Sequence, residues 1–526
     1  MKLSLPPRLS PAQFDAALRD FERAVGMGWV LASDSDRDAY SDIYAPGDPG
    51  QWPPSAAVAP ASAEEVQAVV RLANQHKVPL WPVSRGKNLG YGTAAPRLAG
   101  TVVLDLGRMN RILELDHKLA YCVIEPGVGF FDLYDRIQKE KAPLWMSVPG
   151  NAWGSVMGNA LDHGVGYTPY GLHARNICGM EVVLPQGDLV RTGMGAMSGN
   201  HAWNLFPFGF GPTWDLMFSQ SNMGIVTKMG MWLMPAPASS LSMSISIPKE
   251  DDIGWVIDTL APLKIGGLID QSLFVPSWLG HMVLLGQRKD FYTGPGPIPE
   301  ARVQELLAKY KIGYWTASIR LYGDEAVNRA KADVIKKAFA PHIKPDFVED
   351  WWHPGDPVPS QDPTMGVPSA AALQMADWVG GRGAHMGFSP VVPASSAHVM
   401  GQLKRSRARI AQHGFDFYAS FTIGGRFANN INMLLFDRDN AEEVRRVRAL
   451  FNDLVADAKK AGYGEYRTHL GWMDQVASTF DFNKGAMGRL NQTLKDAVDP
   501  NGILAPGKQG VWPTAYKQFS GAGEAK

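Results

Sequence analysis

The sequence predicts a two-domain α+β protein in which each domain is built around its own sheet. Helical and strand patterns alternate along residues 52–236, which is typical of a sheet covered by helices. The segment Met234-Pro235-Ala236-Pro237 interrupts this pattern and marks a predicted domain boundary. Beyond it, strands and covering helices follow in two similar rounds. Residues 237–463 are therefore predicted to form a second α+β domain with an antiparallel sheet.

The elements of the first domain are predicted from local patterns. Apolar residues at helical spacing predict helices over residues 11–25, after residue 62 and around residues 131–137. Ser62 and Glu65 form a predicted capping box at the start of the second helix. Pro-Gln-Gly-Asp at residues 185–188 predicts a hairpin turn. The predicted strands are residues 78–83, 101–106, 119–124, 180–184, 189–192 and 221–234.

The second domain is predicted in the same way. Residues 340–380, rich in Pro, Trp and Asp, are predicted to form a surface connection. The predicted helices are residues 252–263, 302–311, 325–339, 396–413 and 441–461. The predicted strands are residues 241–247, 283–286, 315–321, 385–392, 417–423 and 431–436.

Composition excludes several classes of function. The 51 basic and 51 acidic residues balance, so no overall field attracts nucleic acid or an anionic membrane. Cys122 and Cys178 are too few for a disulfide scaffold or a cysteine-rich metal site, and the chain has no motif for attaching a c-type haem. No metal site is predicted. The sequence shows neither a long apolar run nor a signal peptide, so we expect a cytoplasmic protein.

A glycine-rich loop follows the predicted strand at residues 78–83. It reads Pro-Val-Ser-Arg-Gly-Lys-Asn-Leu-Gly-Tyr-Gly over residues 82–92. Its glycines allow tight turns with N–H groups facing an anion, and Arg85 and Lys87 add positive charge. The loop matches neither the Gly-x-Gly-x-x-Gly fingerprint nor a Walker loop. From these residues alone it is either a pyrophosphate-binding loop or a basic surface turn.

A second glycine-rich region covers residues 148–171. Its glycines are too dense for a regular element, and Ser155 and Asn159 supply groups that hydrogen-bond a polar ligand. A long loop within a compact domain is usually functional. The region is therefore predicted to bind a ligand together with the first loop.

These motifs, together with four others, resemble the group of vanillyl-alcohol oxidase, eugenol oxidase and p-cresol methylhydroxylase. The others are Gly-Met-Glu-Val-Val-Leu at 179–184, Arg-Thr-Gly-Met-Gly at 191–195, Glu-Tyr-Arg-Thr-His at 465–469 and Asp-Pro-Asn-Gly-Ile-Leu-Ala-Pro-Gly-Lys at 499–508. The resemblance covers nearly the whole chain. It implies a discontinuous FAD-binding domain of the p-cresol methylhydroxylase type, formed by residues 1–236 and 464–526, with residues 237–463 as a cap.

The resemblance also implies which residues bind FAD. The cofactor is expected to lie along both glycine-rich regions, and Lys508 and Arg467 are candidates to balance negative charge on the reduced flavin. The expected FAD-binding residues are Pro82, Ser84, Arg85, Gly86, Lys87, Asn88, Leu89, Gly90, Gly154, Ser155, Gly158, Asn159, Gly164, Gly224, Ile225, Val226, His385, Arg467 and Lys508.

His385 stands in Gly-Ala-His-Met-Gly-Phe-Ser-Pro at residues 383–390. A lone histidine at the start of a strand is commonly structural. Oxidases of the group attach FAD through a histidine in this motif, so the resemblance implies an 8α-histidyl bond to His385. The methylhydroxylase branch uses a tyrosine slightly upstream, whereas this chain has no tyrosine between Tyr322 and Tyr418.

Tyr91, Tyr466 and Arg467 match the group's phenolate-binding residues, and Tyr167 matches a further active-site tyrosine. A phenol, with a pKa of about 10, ionises readily where an Arg charge and two hydroxyl donors meet at its oxygen. The resemblance then implies that the phenolate expels a hydride from its para substituent to FAD. The resulting p-quinone methide adds water or rearranges to give an alcohol, aldehyde or alkene.

Two positions depart from the group's pattern. Gly150 stands where the oxidases have an aspartate near the reacting carbon, and Leu172 stands where relatives often have aspartate. Asp162 occupies a different place in the motif and is not assigned that role. We hypothesise that Gly150 enlarges the site for bulkier para-substituted phenols, such as syringyl compounds or lignin-derived dimers.

Three functions remain open at this point. The first is an oxidase that returns electrons to O2 as hydrogen peroxide, and histidyl attachment favours it. The second is a dehydrogenase that passes electrons to a cytochrome, as in the methylhydroxylase branch, which also lacks the aspartate. The third is a flavin-binding protein without catalysis, which Tyr91, Tyr466 and Arg467 argue against. The group is commonly dimeric or octameric, so we expect a homo-oligomer.

Overall fold

The computed structural model describes residues 3–521 of the chain. Within them the α-helices are α1 Pro11–Val25, α2 Asp34–Ala39, α3 Ala63–His76, α4 Phe130–Glu140, α5 Val156–Leu161, α6 Ile253–Ile265, α7 Trp278–Met282, α8 Arg288–Phe291, α9 Glu300–Tyr310, α10 Glu325–Phe339, α11 Ser396–Gln412, α12 Ala441–Lys460, α13 Met473–Ser478 and α14 Phe482–Val498.

The strands of the described residues are β1 Val30–Leu31, β2 Ala56–Val58, β3 Leu80–Val83, β4 Val102–Asp105, β5 Ile112–Asp116, β6 Tyr121–Ile124, β7 Leu144–Trp145, β8 Ile177–Val183, β9 Leu189–Arg191, β10 Ile225–Trp232, β11 Met234–Pro235, β12 Ser239–Ile247, β13 Leu273–Pro276, β14 Trp315–Gly323, β15 Val348–Trp352, β16 Gly383–Phe388, β17 Pro390–Pro393, β18 Ala419–Ile423, β19 Phe427–Asp437 and β20 Gly464–Glu465.

The first sheet has the order β1-β2-β4-β3, with β2, β4 and β3 parallel. The apolar faces of α1 and α3 pack against it and bury Phe14, Phe21 and Val70. Ile503 and Leu504, near the end of the chain, belong to the same core, and Leu504 forms a parallel bridge with Leu80. The C-terminal segment therefore completes the first core.

The second sheet is antiparallel, with the order β5-β6-β10-β8-β9. β8 is buried along its whole length, and β8 and β9 form the predicted hairpin. α4 and α5 contribute to the core on this sheet. The first two sheets place the ends of β3, α5 and β10 next to the cavity described below.

The third sheet, which we call the cap sheet, has the order β15-β12-β14-β13-β18-β19-β17-β20, and β16 also pairs with β19. Its strand pairs are antiparallel, and α6, α10 and α11 pack on it. An antiparallel sheet commonly buries one face in a core and leaves the other free for a different role. Here the other face carries the side chains that border the cavity. The predicted α+β class is confirmed.

Several local predictions were wrong in part. Residues 148–171 do contain a regular element, because Ser155 caps the short helix α5 within them. The predicted strand at 283–286 follows α7, and Leu284 and Leu285 are exposed; the strand of this region is β13 instead. Short apolar runs do not distinguish a strand from a helix end. The predicted surface connection at 340–380 contains β15, which pairs with β12, and buries Met375 and Trp378.

The other two corrections concern hydrogen bonds. The predicted strand at 385–392 is broken at Ser389, because its N–H donates to the buried side-chain carboxylate of Glu465 instead of a backbone carbonyl. The capping box of α3 is incomplete. Ser62 Oγ accepts from the Glu65 N–H, but the Glu65 carboxylate accepts from the N–H of Ala61.

We keep the division of the chain at residues 236/237 and 463/464 as a proposal. The largest cluster of buried apolar side chains supports it, since it lies within residues 241–435. A smaller cluster crosses the second division, because it joins residues 384–458 to Trp472 and Val476. β20 falls just after the second division yet pairs with β17 of the cap sheet. Among residues 3–521, no helix is long and apolar enough to cross a membrane.

Candidate active site

A cavity of about 700 Å³ lies between the cap sheet and the first two sheets. Both glycine-rich regions, the end of β10 and the C-terminal segment line one side, and β13, β14, β18 and β19 line the other. The cavity collects nearly all the residues predicted for the site. Of these, Arg85, Gly90 and Gly164 lie outside its lining.

The first glycine-rich loop leaves β3 and forms one wall of the cavity. Gly86 and Gly90 have φ of 59° and 78°, a region that glycine adopts without strain. Arg85 is turned away, since its Nη1 lies 2.7 Å from the Asp132 carboxylate. Lys87 lines the cavity, with Nζ 4.6 Å from the ring centre of Trp153. The loop therefore supplies the cavity with the charge of Lys87 rather than that of Arg85.

The second glycine-rich region packs closely against the first. Ser155 caps α5, where its Oγ accepts from the Gly158 N–H at 3.1 Å. A Cβ on Gly158 would lie 2.4 Å from Ser84 Oγ, so only glycine allows the two segments to touch here. Gly164 lies behind Asn159, because a Cβ there would meet the Asn159 amide at 1.9 Å. The glycines thus bring Ser84 and Asn159 to the cavity.

Tyr91, Tyr466 and Arg467 meet in the cavity. The Arg467 guanidinium lies 4.2 Å from the ring centre of Tyr91, and its Nη2 donates to Asn88 Oδ1 at 2.9 Å. Within residues 3–521, Arg467 Nε is buried without a hydrogen-bond partner. Burial raises the pKa of both tyrosines, and Arg467 opposes this effect. Both hydroxyls therefore stay protonated at neutral pH and can donate hydrogen bonds.

Asp162 is a site residue that the sequence reasoning set aside. Its carboxylate accepts from Asn88 Nδ2 at 3.1 Å and lies 3.5 Å from Lys508 Nζ. Burial alone would raise the pKa of Asp162, but Lys508 and Arg467 together lower it. Burial lowers the pKa of Arg467, but Tyr91, Asp162 and Tyr466 together raise it. Asp162 is thus an anion among the cationic groups of the cavity. The sequence signal that could have identified it as a site residue was its position inside the second glycine-rich region.

Tyr167 and Gly150 face each other across the cavity wall. A Cβ on Gly150 would lie 3.1 Å from the Tyr167 hydroxyl oxygen, which is a tight contact. The Tyr167 ring also meets Phe274 of the cap sheet edge-on at 5.5 Å. Any side chain at position 150 would therefore press on Tyr167.

His385 lies on β16 at the cavity wall, with only 7% of its surface exposed. Its Nδ1 has no hydrogen-bond partner among the described residues, and burial lowers the pKa of its ring to about 4. A Cβ on Gly90 would lie 2.8 Å from this ring, so Gly90 packs directly against it. His385 is thus a neutral imidazole at the cavity wall, and its Nδ1 has no hydrogen-bond partner among the described residues.

The cap sheet supplies a wall that the sequence reasoning did not predict. Ser318, Phe274 and Thr422 form one cross-strand row on β14, β13 and β18. His281 of α7 and Tyr418, just before β18, also line the cavity. Further cavity residues on the strands of this wall are Thr316, Ser420, Ile431 and Met433. Alternation of side chains across a strand places them on one face, but their common wall depends on strand order. Local sequence carried no signal for it.

The residues present fit FAD. The cavity is lined by the close-packed glycine segments and by Lys87, and the His385 ring at its wall has a nitrogen without a hydrogen-bond partner among the described residues. Backbone amides and a lysine suit a pyrophosphate, and the apolar wall of Trp81, Leu106 and Phe218 suits a flat ring system.

Residues 54–193 match the family model of an FAD binding domain, and residues 369–509 match that of the C-terminal domain of FAD linked oxidases. The chain is 36% identical to the flavoprotein subunit of the hydroxylating 4-cresol dehydrogenase of Pseudomonas putida, over 96% of this chain and 97% of that protein. The chain belongs to the vanillyl-alcohol oxidase and p-cresol methylhydroxylase family. It is therefore an FAD-linked oxidoreductase with the fold of that family.

Two solved structures of the family extend this similarity. The 4-ethylphenol oxidase from Gulosibacter chungangensis, in complex with isoeugenol, has 36% identity and a TM-score of 0.92 over 97% of this chain and 99% of that one. A p-cresol methylhydroxylase with substrate bound has 35% identity and a TM-score of 0.91 over the same shares.

Proposed function

We propose that the protein oxidises para-substituted phenols, such as 4-alkylphenols and 4-hydroxybenzylic or allylic alcohols, with FAD as the hydride acceptor. The observation that carries this proposal is the meeting of Tyr91, Tyr466 and Arg467 in one buried cavity. The names of the three relatives described above support it, because each of these names refers to a phenol.

In this proposal the chain's residues bind the phenol as its phenolate, and the proton of the phenol is released to solvent. The hydroxyls of Tyr91 and Tyr466 donate to the phenol oxygen, and the unpartnered Nε of Arg467 supplies a charged donor. An Arg charge beside an oxyanion in a buried site is worth more than in water. Bound FAD would accept a hydride from the para substituent once the phenolate has formed. Tyr167 and Gly150 then border the substituent, from which the hydride leaves to give a p-quinone methide.

We propose that FAD is held by the two glycine-rich regions and attached covalently to His385. The buried, unpartnered Nδ1 of His385 supports this assignment. Lys508 and Arg467 would balance the charge of the reduced cofactor, and Asp162 sets how much of their charge remains free. The other proposed FAD contacts are those predicted from the sequence, with Arg85, Gly90 and Gly164 supporting the binding segments from behind.

We further propose that Gly150 widens the site for bulky para substituents, including lignin-derived ones. The 3.1 Å approach of a Cβ at this position to Tyr167 supports this view. The uncharged side chains on the cap wall fit a neutral substituent rather than an ionised one.

For reoxidation we propose O2, with hydrogen peroxide as product, because His385 and not a tyrosine is available for the covalent bond. The second candidate is transfer to a cytochrome-type acceptor. Gly150 favours it, since the methylhydroxylase branch also lacks a carboxylate there. We retain a homo-oligomer as a prediction, which light scattering after size-exclusion chromatography would test.

One experiment tests the activity and the acceptor together. The holoenzyme is mixed without oxygen with a panel of 4-alkylphenols and 4-hydroxybenzylic alcohols, each paired with its O-methyl ether, and the flavin absorbance is followed. We expect the phenols to bleach the flavin and the ethers to leave it yellow. Admission of air should restore the colour and produce peroxide. Flavin that no phenol reduces would contradict the proposal, and turnover with an artificial acceptor but not with air would favour the dehydrogenase.

A further inference from the structure

Asp42 lies in the loop between α2 and β2, and its side chain has 0% exposure. The Tyr44 N–H and His469 Nε2 donate to its carboxylate at 3.1 Å and 2.7 Å. The Thr93 hydroxyl, 3.2 Å from this carboxylate, shares its one hydrogen between Asp42 and the Ser41 carbonyl. Thr93 and His469 each lie two residues from a member of the proposed phenol site, namely Tyr91 and Arg467. A buried carboxylate therefore joins the two segments that carry that site.

The bond between Asp42 and His469 has a defined direction. His469 Nδ1 accepts from the Gly471 N–H at 3.1 Å, so the ring hydrogen is on Nε2 and donates to Asp42. The His469 ring is held between two tryptophans. Its ring centre lies 5.9 Å from that of Trp52 and 5.4 Å from that of Trp472. This segment is tied to the other one directly, because the Leu470 N–H donates to the Tyr91 carbonyl at 3.2 Å.

The bond to Thr93 holds an unusual backbone conformation. Thr93 has φ of 48°, which is unfavourable for a β-branched residue and needs support from its surroundings. Its hydroxyl contacts the Ser41 carbonyl at 3.0 Å as well as Asp42. The turn that presents Tyr91 to the cavity therefore depends on the Asp42 loop.

The same loop also reaches His385. The N–H of Tyr44 donates to Asp42, and the Tyr44 ring meets the His385 ring edge-on at 5.2 Å. Asp42 itself lies outside the cavity lining. Its effect on a bound phenol would thus pass through the residues that it holds.

We propose that Asp42 is a positioning residue of the phenol site, which holds Tyr91 and Arg467 at the separation that ionises the substrate. This inference rests on the proposed function. Groups that act on a developing charge need their geometry fixed by hydrogen bonds behind them, and small displacements cost much of the rate.

The substitution Asp42→Asn tests the proposal with an isosteric side chain. An amide has one accepting oxygen, so its NH2 must face either His469 Nε2–H or the Tyr44 N–H. In either arrangement two N–H donors face each other without an acceptor, so the segment that carries His469 or Tyr44 must move. Thr93→Val removes the hydroxyl alone, and Thr93→Ser keeps it. The control is Glu181→Gln, which disturbs a buried carboxylate bonded to Arg191 and Lys228, away from the cavity.

The probe is 4-nitrophenol, whose phenolate absorbs visible light, titrated into the FAD-loaded proteins over a range of pH. We expect Asp42→Asn to weaken phenolate binding about 10- to 100-fold and to raise the pH at which the bound probe ionises. Thr93→Val should also weaken phenolate binding, whereas Thr93→Ser should leave it unchanged. The FAD content of these variants should match that of Glu181→Gln.

Phenolate binding in Asp42→Asn and Thr93→Val equal to that of Glu181→Gln would overturn the role of Asp42 and leave the proposed function standing. If Asp42→Asn does not fold, the comparison of Thr93→Val with Thr93→Ser decides. Wild-type protein that binds no phenolate would overturn the proposed function and this inference with it.

Discussion

The guanidinium of Arg467 lies 4.2 Å from the ring centre of Tyr91, although the two residues stand far apart in the chain. A planar cation over an aromatic face is an attractive contact. It also holds the guanidinium of Arg467 at the cavity wall, next to a hydroxyl that burial keeps protonated.

Replacement of Arg467 by lysine should separate charge from geometry. Lysine keeps the positive charge but loses the planar stack and the bond to Asn88, so the rate of flavin reduction by phenols should fall about 10²- to 10³-fold. Stopped-flow measurement without oxygen checks this. The control is Arg97→Lys, because Arg97 is also buried and lies 5.6 Å from the ring centre of Trp512, outside the cavity. Equal rates in the two variants would contradict the assignment.

Gly90→Ala should impair attachment of FAD. The new Cβ would lie 2.8 Å from the His385 ring, and φ of 78° is unfavourable for alanine. The matched control is Gly267→Ala, which has a similar φ of 74° but nothing within 4 Å of the new Cβ, and which lies outside the cavity lining. Denaturation followed by gel fluorescence measures covalent flavin. We expect a large loss in the first variant and none in the second, and similar flavin content in both would refute this.

Gly150→Asp should narrow the choice of substrate. Its Cβ must displace Tyr167, so the ratio of kcat/KM for bulky over small para-substituted phenols should drop at least about tenfold. Gly150→Ala should give an intermediate ratio, because it adds the Cβ without the carboxylate. Steady-state kinetics with one alkylphenol and one dimeric phenol check the prediction. An unchanged ratio would remove Gly150 from the determinants of specificity.

His173 should make the fold sensitive to acid. It bonds to Asn159 and Ser147, and burial lowers the pKa of its ring to about 3. In the unfolded chain the His173 ring has a pKa of about 6.5. Below that pH the ring binds a proton in the unfolded chain but stays neutral in the folded chain. The free energy of unfolding therefore falls as pH falls, by about 2 kcal/mol from pH 6.5 to pH 5 for this residue.

His173→Gln should flatten this part of the pH profile, as measured by denaturant unfolding at several pH values. His201→Gln, at an exposed histidine, provides the comparison. A slope in His173→Gln equal to that of the wild-type protein would show that His173 does not cause the sensitivity.

Local patterns predicted much of the fold. The bounds of α1 and α10 agree with the helical spacing of their apolar residues, because such a face depends on neighbours three and four positions apart. The strand predicted at 283–286 was wrong because a short apolar run has no such periodicity. β15 was missed because it is an edge strand of mixed, mostly exposed residues without an apolar pattern. Its extended conformation depends on pairing with β12 beside it.

By itself, the sequence determined the α+β class, the family, and the motifs that hold the proposed cofactor and phenol residues. These depend on spacing within short segments, which the covalent chain sets. Only the tertiary structure decided that Arg85 turns to Asp132, that Asp162 balances Lys508 and Arg467, and that Asp42 joins Thr93 to His469. Hydrogen bonds and charge interactions act over a few ångströms in space, so their partners follow from the packing of distant segments.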